Sequence, residues 1–447
     1  MDENKLSDDV IEQIKDFKHN NLSKEQESLI DKLILNEELK TYYKEYGLCN
    51  VCSQLKRNRK LCNYCLLQNF KNCTSGNYEV DKLIQKAQLK AKEFSEIFEW
   101  IEYDRFENVE YLAKGGFGTV FKAIWKDGPI WNYYYNKWQR LKETKVALKS
   151  RNSFWIIQCF GISKDPETNN FMMVMELKEG GLRQHLNNNF ISLDWRQKLR
   201  SLQGIAYGLK DIHNNGLIHR DFHCGNILSN FDEKAFITDL GLCQPANVET
   251  SHDSDKKIFG VLPYVAPEVL KGKEYTQQSD TYGFGIIAYE ICTGYPPYHD
   301  IAHDDFLAMK ICQGLRPTSN YKIPQLIFDI INRCWNADPL KRPKADELHE
   351  LIWDLYSHSI KYSEITKQID EANKINYKLS SLTVQTTSSS TSTLSYTTHP
   401  QAIYTSRLLD FKNLPKPKND DDNNDNSFEM EFSDSVKMDF TKLNFNS

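Results

Sequence analysis

Apolar residues recur at near-helical intervals in the first part of the chain: Val10, Ile14 and Phe17, then Leu29, Leu33 and Ile34, among polar neighbours. Steps of three or four place side chains on one helical face, so residues 1–46 read as short amphipathic helices in a polar segment. A further amphipathic stretch runs from Val80 to Ile97 and leads through Trp100 to Tyr103-Asp104-Arg105-Phe106. It makes 77–105 a helical linker. From Phe106 to about Leu355, strand-like and helix-like runs alternate as a compact domain requires; its bounds are set at 106–358, followed by a helical extension over 359–378. Beyond Lys378 the pattern dissolves. Ser380 to Thr398 is dominated by Ser and Thr, and Asn419 to Asn426 is an Asp/Asn run. Such segments cannot bury enough apolar surface to offset their ordering entropy, and 379–447 is read as a disordered tail. No internal repeat is present.

Composition changes this picture only at the margins. A hydrophobic fraction of 40% and an aromatic fraction of 12% over 447 residues suffice for a sizeable core. The formal charge of −5 gives no argument for binding nucleic acid. No window approaches the ~18 apolar residues of a membrane helix. The start, Met1-Asp2-Glu3-Asn4-Lys5, has neither the basic-then-apolar plan of a secretory signal nor the acid-poor make-up of an organellar presequence. An intracellular, cytoplasmic protein is expected, in which the 11 cysteines are free thiols or metal ligands rather than disulfides.

Four of those cysteines stand out. Cys49-Asn50-Val51-Cys52 and Cys62-Asn63-Tyr64-Cys65 are two Cys-x₂-Cys pairs separated by nine residues. Each pair can present two thiolates to one tetrahedral ion, so residues 47–76 are expected to form a structural Zn²⁺ module. Lys56, Arg57, Arg59 and Lys60 between the pairs would help keep the thiols deprotonated. The basic loop reads as a solvated or protein-contacting loop, because so short a finger offers few aromatic platforms for nucleic acid.

The chemistry concentrates in His219-Arg220-Asp221-Phe222-His223-Cys224-Gly225-Asn226, followed by Asp239-Leu240-Gly241. At these intervals Asp221 can accept the proton of an attacking hydroxyl, while Asn226 and Asp239 can hold Mg²⁺ against ATP phosphates. Upstream, Leu112-Ala113-Lys114-Gly115-Gly116-Phe117-Gly118-Thr119-Val120 reads as strand, glycine-rich turn and strand. Glycines there let backbone N–H groups approach phosphate oxygens. Val146-Ala147-Leu148-Lys149 is an apolar strand ending in one cation. Alone, Lys149 would be a solvated strand end; after a glycine loop and before the Asp221 segment it becomes a phosphate-binding lysine.

With these motifs in this order, residues 106 to about 355 resemble the eukaryotic protein kinases, most of all their tyrosine-kinase-like branch. The resemblance implies an α+β bilobal protein-kinase fold, with a β-rich N-lobe, a helical C-lobe and ATP between them. It implies Lys149 on the α/β-phosphates, Val120, Ala147 and Leu228 around the adenine, and Met175-Glu176-Leu177 at the hinge with Met175 as gatekeeper. Arg342, in Asp338-Pro339-Leu340-Lys341-Arg342-Pro343, becomes the ion-pair partner of Glu268 in Ala266-Pro267-Glu268, and Asp280 a cap on backbone amides of the catalytic loop. Arg220 suggests control by a phosphate on the activation segment, with Thr250, Ser251 and Ser254 as acceptors.

Departures from the family pattern bear on activity. Ala113 replaces the first glycine and Leu240 the usual Phe, both mildly. His223 and Val261 stand where serine/threonine kinases usually carry Lys and Thr, which puts acceptor specificity in doubt. The largest departure follows Lys149, where only Ser150 to Phe154 precede the apparent fourth strand, Trp155 to Ile162. The family places a helix here, αC, whose Glu pairs with the strand lysine; this chain has no acidic residue between Lys149 and Asp165. The apolar face under that helix would lie exposed, with the Trp- and Tyr-rich insertion Lys126 to Lys145 as its nearest cover. Either the chain is a divergent or inactive kinase, or a coding segment is missing from it. The leading expectation is an ATP- and Mg²⁺-dependent protein kinase acting on Ser/Thr of protein substrates, under upstream kinases. Its Zn²⁺ module and tail would serve recruitment, and it would make no membrane contact. The alternative is a pseudokinase scaffold.

Overall fold

The computed structural model describes residues 6–57, 59, 61–71, 73–115, 118–134, 137–150, 158–229, 235–239, 242–246, 258–359, 363–383 and 396–419. The chain opens with α1 (Asp8–Ile14), α2 (Lys24–Leu33) and α3 (Glu37–Tyr46). Ser7, Ser23 and Asn36 cap them, each accepting a backbone N–H of the first turn. Ile14, Ile30, Ile34, Leu39 and Tyr43 meet in a small core, and the Tyr43 hydroxyl donates to the Ile14 carbonyl at 3.0 Å. Next come α4 (Asn63–Asn69), which starts from Cys62, and α5 (Tyr78–Lys90), capped by Asn77.

The small lobe is a six-stranded sheet. Its strands are β1 (Glu99–Trp100), β2 (Phe106–Gly115), β3 (Gly118–Trp125), β6 (Thr144–Ser150), β7 (Cys159–Lys164) and β8 (Phe171–Glu176), in the order β1-β7-β8-β6-β3-β2; between β3 and β6 lies a hairpin of β4 (Ile130–Tyr134) and β5 (Lys137–Arg140). Val146, Leu148, Phe160, Met172, Val174 and Trp125 fill one face. On the other, Ile84 of α5 packs with Phe98, Trp100 and Ile162, and Phe171 joins them. Ile162 and Met173 are direct partners, as are Ala147 and Met175, so α5 covers the outer end of the face that Ala147 and Met175 line.

That arrangement corrects one expectation. Among the described residues, the insertion hairpin does not cover this face. Its Ile130 packs instead on Leu61, Leu66 and Phe70 of the cysteine module, with Trp138 alongside. Helix α5 covers the face because its Ile84 side is apolar and the chain returns through Trp100 as a new edge strand. Of the expected strand Trp155 to Ile162, the part before Gln158 lies outside the described residues, and so does the place of the αC helix.

β1 runs parallel to β7, pairing Glu99 with Gly161 and Trp100 with Ile162. A Cβ at position 161 would lie 1.9 Å from the Glu99 carbonyl oxygen, so only glycine permits this approach. The Glu99 carboxylate is buried and meets Arg140 of β5 at 2.6 and 3.1 Å; Arg140 also donates to the Gly128 carbonyl at 2.7 Å. Burial pushes the Glu99 carboxyl up to about 7, with Arg140 pulling it back.

The large lobe begins with the short strand β9 (Gly180–Gly181), α6 (Leu182–Asn189) and α7 (Trp195–Asn214). Short strands β10 (Leu217–Ile218), β11 (Ile227–Ser229), β12 (Ala235–Ile237), β13 (Gln244–Pro245) and β14 (Ile258–Gly260) frame the catalytic loop. Helices α8 (Pro267–Leu270), α9 (Gln277–Thr293), α10 (Asp305–Cys312), α11 (Gln325–Cys334), α12 (Ala345–His358) and α13 (Glu364–Thr383) complete it. Helix α9 is buried all round, as a helix at the centre of a lobe must be. The expected bilobal α+β architecture is observed.

The C-terminal part departs from expectation. Helix α13 continues to Thr383, five residues past the expected end at 378. Residues 396–419, placed in the disordered tail by composition, lie along the large lobe and contribute β15 (Arg407–Leu409), whose Leu409 joins the main core. Ile403, Tyr404, Leu409, Phe411 and Leu414 supply apolar surface that the polar runs on either side conceal. The rest of the tail, 384–395 and 420–447, lies outside the described residues. Among the described residues, no helix is long and apolar enough to cross a membrane.

Candidate active site

The loop that carries Asp221 is held from below. Asp280, near the start of α9, accepts the backbone N–H of His219 at 2.7 Å and of Arg220 at 3.0 Å, and its Oδ2 lies 3.0 Å from His213 Nε2. Asp280 thus caps the loop amides, as expected. Arg220 takes a left-handed backbone (φ 69°), strain that the Asp280 bonds hold in place. Its guanidinium stands 5.2 Å over the Tyr275 ring. The expected phosphate acceptors Thr250, Ser251 and Ser254 lie outside the described residues, so the regulatory pairing of Arg220 stays an expectation.

Asp221 is buried at the centre of the site. Asn226 Nδ2 donates to its carbonyl at 2.9 Å and to Oδ2 at 3.3 Å, while His223 Nε2 lies 3.5 Å from Oδ1. Burial pushes the carboxyl up, but hydrogen bonding and charge from His223, the field of His219 and the Ser406 hydroxyl outweigh it, leaving Asp221 below the ordinary carboxylate value. His223 Nδ1 in turn accepts the Gly225 N–H at 3.1 Å, which leaves its Nε2 side toward Asp221. His223 therefore takes a place beside Asp221, and Val261 is buried nearby.

Asn226 and Asp239 flank one hairpin. β11 and β12 pair Ile227 with Ile237, and the Thr238 N–H donates to the Asn226 carbonyl at 2.8 Å, bringing Asp239 close to Asn226. Asp239 also has a left-handed backbone, φ 63°. With the Asn226 N–H₂ spent on Asp221, its amide oxygen is the atom left to meet a cation.

The residues expected around the nucleotide are ordered by sheet register. β3 pairs Val120 with Lys149, and β6 pairs Ala147 with Met175. Glu176 ends β8 and donates its N–H to the Gln158 carbonyl at 2.9 Å; Leu177 follows it. Leu228 pairs with Gly181, joining β9 to β11 beyond the segment expected to be the hinge. Lys178, unremarked in the sequence, is buried there with its Nζ 2.7 Å from Glu176 and 3.7 Å over the Phe236 ring. Leu112, Ala113, Lys114 and Gly115 lie in β2, with Gly118 opening β3. Gly116, Phe117, Leu240 and Gly241 lie outside the described residues.

The expected ion pair is present: Arg342 meets Glu268 at 2.7 and 2.8 Å, both side chains buried. Away from the cleft, Cys49, Cys52, Cys62 and Cys65 place their sulfurs within 4.8 Å of one another. Cys49 and Cys65 stand 3.7 Å apart, Cys52 and Cys62 3.5 Å, and the Val51 N–H donates to Cys49 Sγ. A set of four soft donors with an amide supporting one of them suits a tetrahedral ion.

What sequence reading missed lies beside Asp221. β15 pairs antiparallel with β14, which brings this segment alongside Asp221. The apolar cluster from Ile403 to Leu414 was the signal available for it.

Residues 106–352 match the family model described as protein tyrosine and serine/threonine kinase. Among curated relatives, the chain is similar to "Probable serine/threonine-protein kinase gdt4" of Dictyostelium discoideum, 29% identical over 290 residues, 61% of this chain and 17% of that protein. "Probable serine/threonine-protein kinase roco5" of the same organism is 30% identical, covering 56% of this chain and 10% of its own length. "Mitogen-activated protein kinase kinase kinase 7" of Mus musculus is 29% identical over 272 residues, 58% of this chain and 45% of its own. The chain spans less than half the length of each of these relatives.

Proposed function

The chain belongs to the protein tyrosine and serine/threonine kinase family, and from that premise we propose that it transfers the γ-phosphate of ATP to Ser/Thr hydroxyls of proteins in intracellular signalling. The observation that carries the reading is the buried Asp221, held by Asn226 and kept ionised beside His223. Asp221 orients the acceptor hydroxyl and takes its proton. Asn226 and Asp239 would hold Mg²⁺, and Lys149 with the β2–β3 turn would position the phosphates; bound Mg²⁺–ATP supplies the phosphoryl group and offsets its charge. Val120, Ala147, Leu228 and Met175 would line the adenine, with Glu176 and Leu177 as the hinge. The serine/threonine names of the relatives support the acceptor class, and the mitogen-activated relative supports a place in a cascade with upstream kinases. The motif set supports the tyrosine-kinase-like branch. Cys49, Cys52, Cys62 and Cys65 would hold a structural Zn²⁺, and their module suits recruitment of partners.

The test is phosphotransfer by purified protein with Mg²⁺–ATP and a generic protein acceptor. Undiminished transfer by Asp221→Asn would remove Asp221 as the base.

A second reading, a nucleotide-binding pseudokinase scaffold, is favoured by the absence of any acidic residue between Lys149 and Asp165. Inserting the αC helix of a close relative after Ser150 separates the two. A scaffold gains no phosphotransfer, whereas an enzyme lacking only this segment gains it. The length of the native transcript across these codons reports whether the segment is missing.

A further inference from the structure

Residues 396–419 are attached to the large lobe along their whole length. The Tyr396 hydroxyl donates to Asn187 Oδ1 at 2.9 Å, and the His399 N–H to the His299 carbonyl at 2.7 Å. His303 anchors the middle: its N–H donates to the Gln401 carbonyl at 3.0 Å and its Nδ1 accepts the Ile403 N–H at 3.1 Å. The Tyr404 hydroxyl donates to the Pro297 carbonyl at 2.9 Å, while the Arg183 guanidinium lies 4.2 Å over its ring. Further on, the Lys418 N–H donates to the Cys312 carbonyl at 3.0 Å.

Between these anchors the segment crosses the catalytic loop. β15 adds to β14 with Ile258 opposite Leu409, Phe259 opposite Leu408 and Gly260 opposite Arg407. This is strand addition, the mode by which an extended peptide is bound through its main chain. A Cβ at Gly260 would lie 3.9 Å from Asp221 Oδ1, so β14 passes directly beside the base. The residue before Arg407 leaves β15 at this edge, where β14 passes Asp221. That residue is Ser406. Its hydroxyl is buried beside Asp221, and neither Ser406 Oγ nor Asp221 Oδ1 has a hydrogen-bond partner. Such looseness is common where the reacting phosphate is not yet in place.

We propose that residues 396–419 are a built-in acceptor segment of this kinase, with Ser406 the hydroxyl phosphorylated in cis, and that until then the segment excludes other protein substrates. The proposal rests on the kinase reading above. In the step itself, the Ser406 O–H proton passes to the Asp221 carboxylate. The Oγ–Pγ bond forms, the bond from Pγ to the β,γ-bridging oxygen of ATP breaks, and ADP leaves. Once Asp221 has released that proton to solvent, the product holds a phosphate of about two negative charges against its carboxylate in a buried site, which drives the segment out. Phosphorylation thus opens the acceptor channel once, without a second protein.

The experiment uses the full chain with Mg²⁺ and labelled ATP over a hundredfold range of protein concentration, with phosphosites mapped by mass spectrometry and a generic protein acceptor assayed alongside. Phosphate is expected on Ser406, with the fraction modified per minute unchanged by dilution. Ser406→Ala should abolish that site and Thr405→Ala should leave it intact. Before autophosphorylation, Leu408→Pro, which breaks the strand pairing, and Leu409→Asp, which expels the buried anchor, should each raise acceptor phosphorylation at least fivefold. Acceptor phosphorylation that is normal and indifferent to Leu408→Pro, with no phosphate on Ser406, would overturn the proposal and leave the kinase reading intact. A fractional rate that rises in proportion to concentration would overturn the cis step. Absence of transfer to both acceptor and tail would sink the kinase reading, and this role with it.

Discussion

At Asp221, burial and charge pull in opposite directions, and charge prevails. The carboxyl sits below the ordinary Asp value of 3.8, so its stabilising contribution is complete above that value and is lost as pH falls through the lower folded one. Transfer should therefore show no acid limb from Asp221 between about pH 5 and 7. A limb centred near neutrality in kcat/KM would assign the base to another group, His223 first. Asp221→Asn should lower kcat by about 10²–10⁴-fold with little change in KM for ATP, measured by initial rates. Arg342→Ala should cost about 3–5 kcal/mol in urea unfolding, because it strands the buried Glu268 carboxylate. The Asp280 cap and the Arg342–Glu268 pair were legible in the sequence, since both depend on residue type in a fixed order. The position of the His223 ring was not: it is set by the Gly225 N–H, a contact no spacing reveals.

Among elements, β1 has the narrowest tolerance. It has two residues, joins β7 in parallel, and depends on Gly161 for its approach. Gly161→Ala must push β1 away, with faster amide exchange at Trp100 and Ile101 and a loss of about 1–3 kcal/mol as the measurable outcome. Unchanged exchange would show that the strand accommodates a methyl group. Helices α1–α3 and α5 were readable from three- and four-residue steps because each buries one stripe. The strand β1 was not, being too short to show any period, and neither was the docking of the hairpin, whose Ile130 finds its partners in a module some 65 residues earlier. The seated tail was hidden for a compositional reason: its few apolar anchors are flanked by long polar runs.

Across the whole molecule, the cysteine module and the small lobe are one packed body. Leu61, Leu66 and Phe70 of the module meet Ile130, while α5 carries the linker onto the sheet. The purified protein should contain one Zn²⁺ per chain by elemental analysis. A strong chelator, or Cys52→Ser with Cys65→Ser, should lower the Tm of the small lobe as well as loosen the module. An unchanged lobe transition would separate the two. The attachment also decides where this protein can be divided. A fragment beginning at Phe106, where the family match starts, would leave β7 as a bare sheet edge, Arg140 without its carboxylate, and Ile130, Ile162 and Phe171 open to water. Unpaired edges and contiguous apolar surface are what drive chains to self-associate. Such a fragment should pellet on concentration, whereas one that retains residues 47–105 should remain monodisperse.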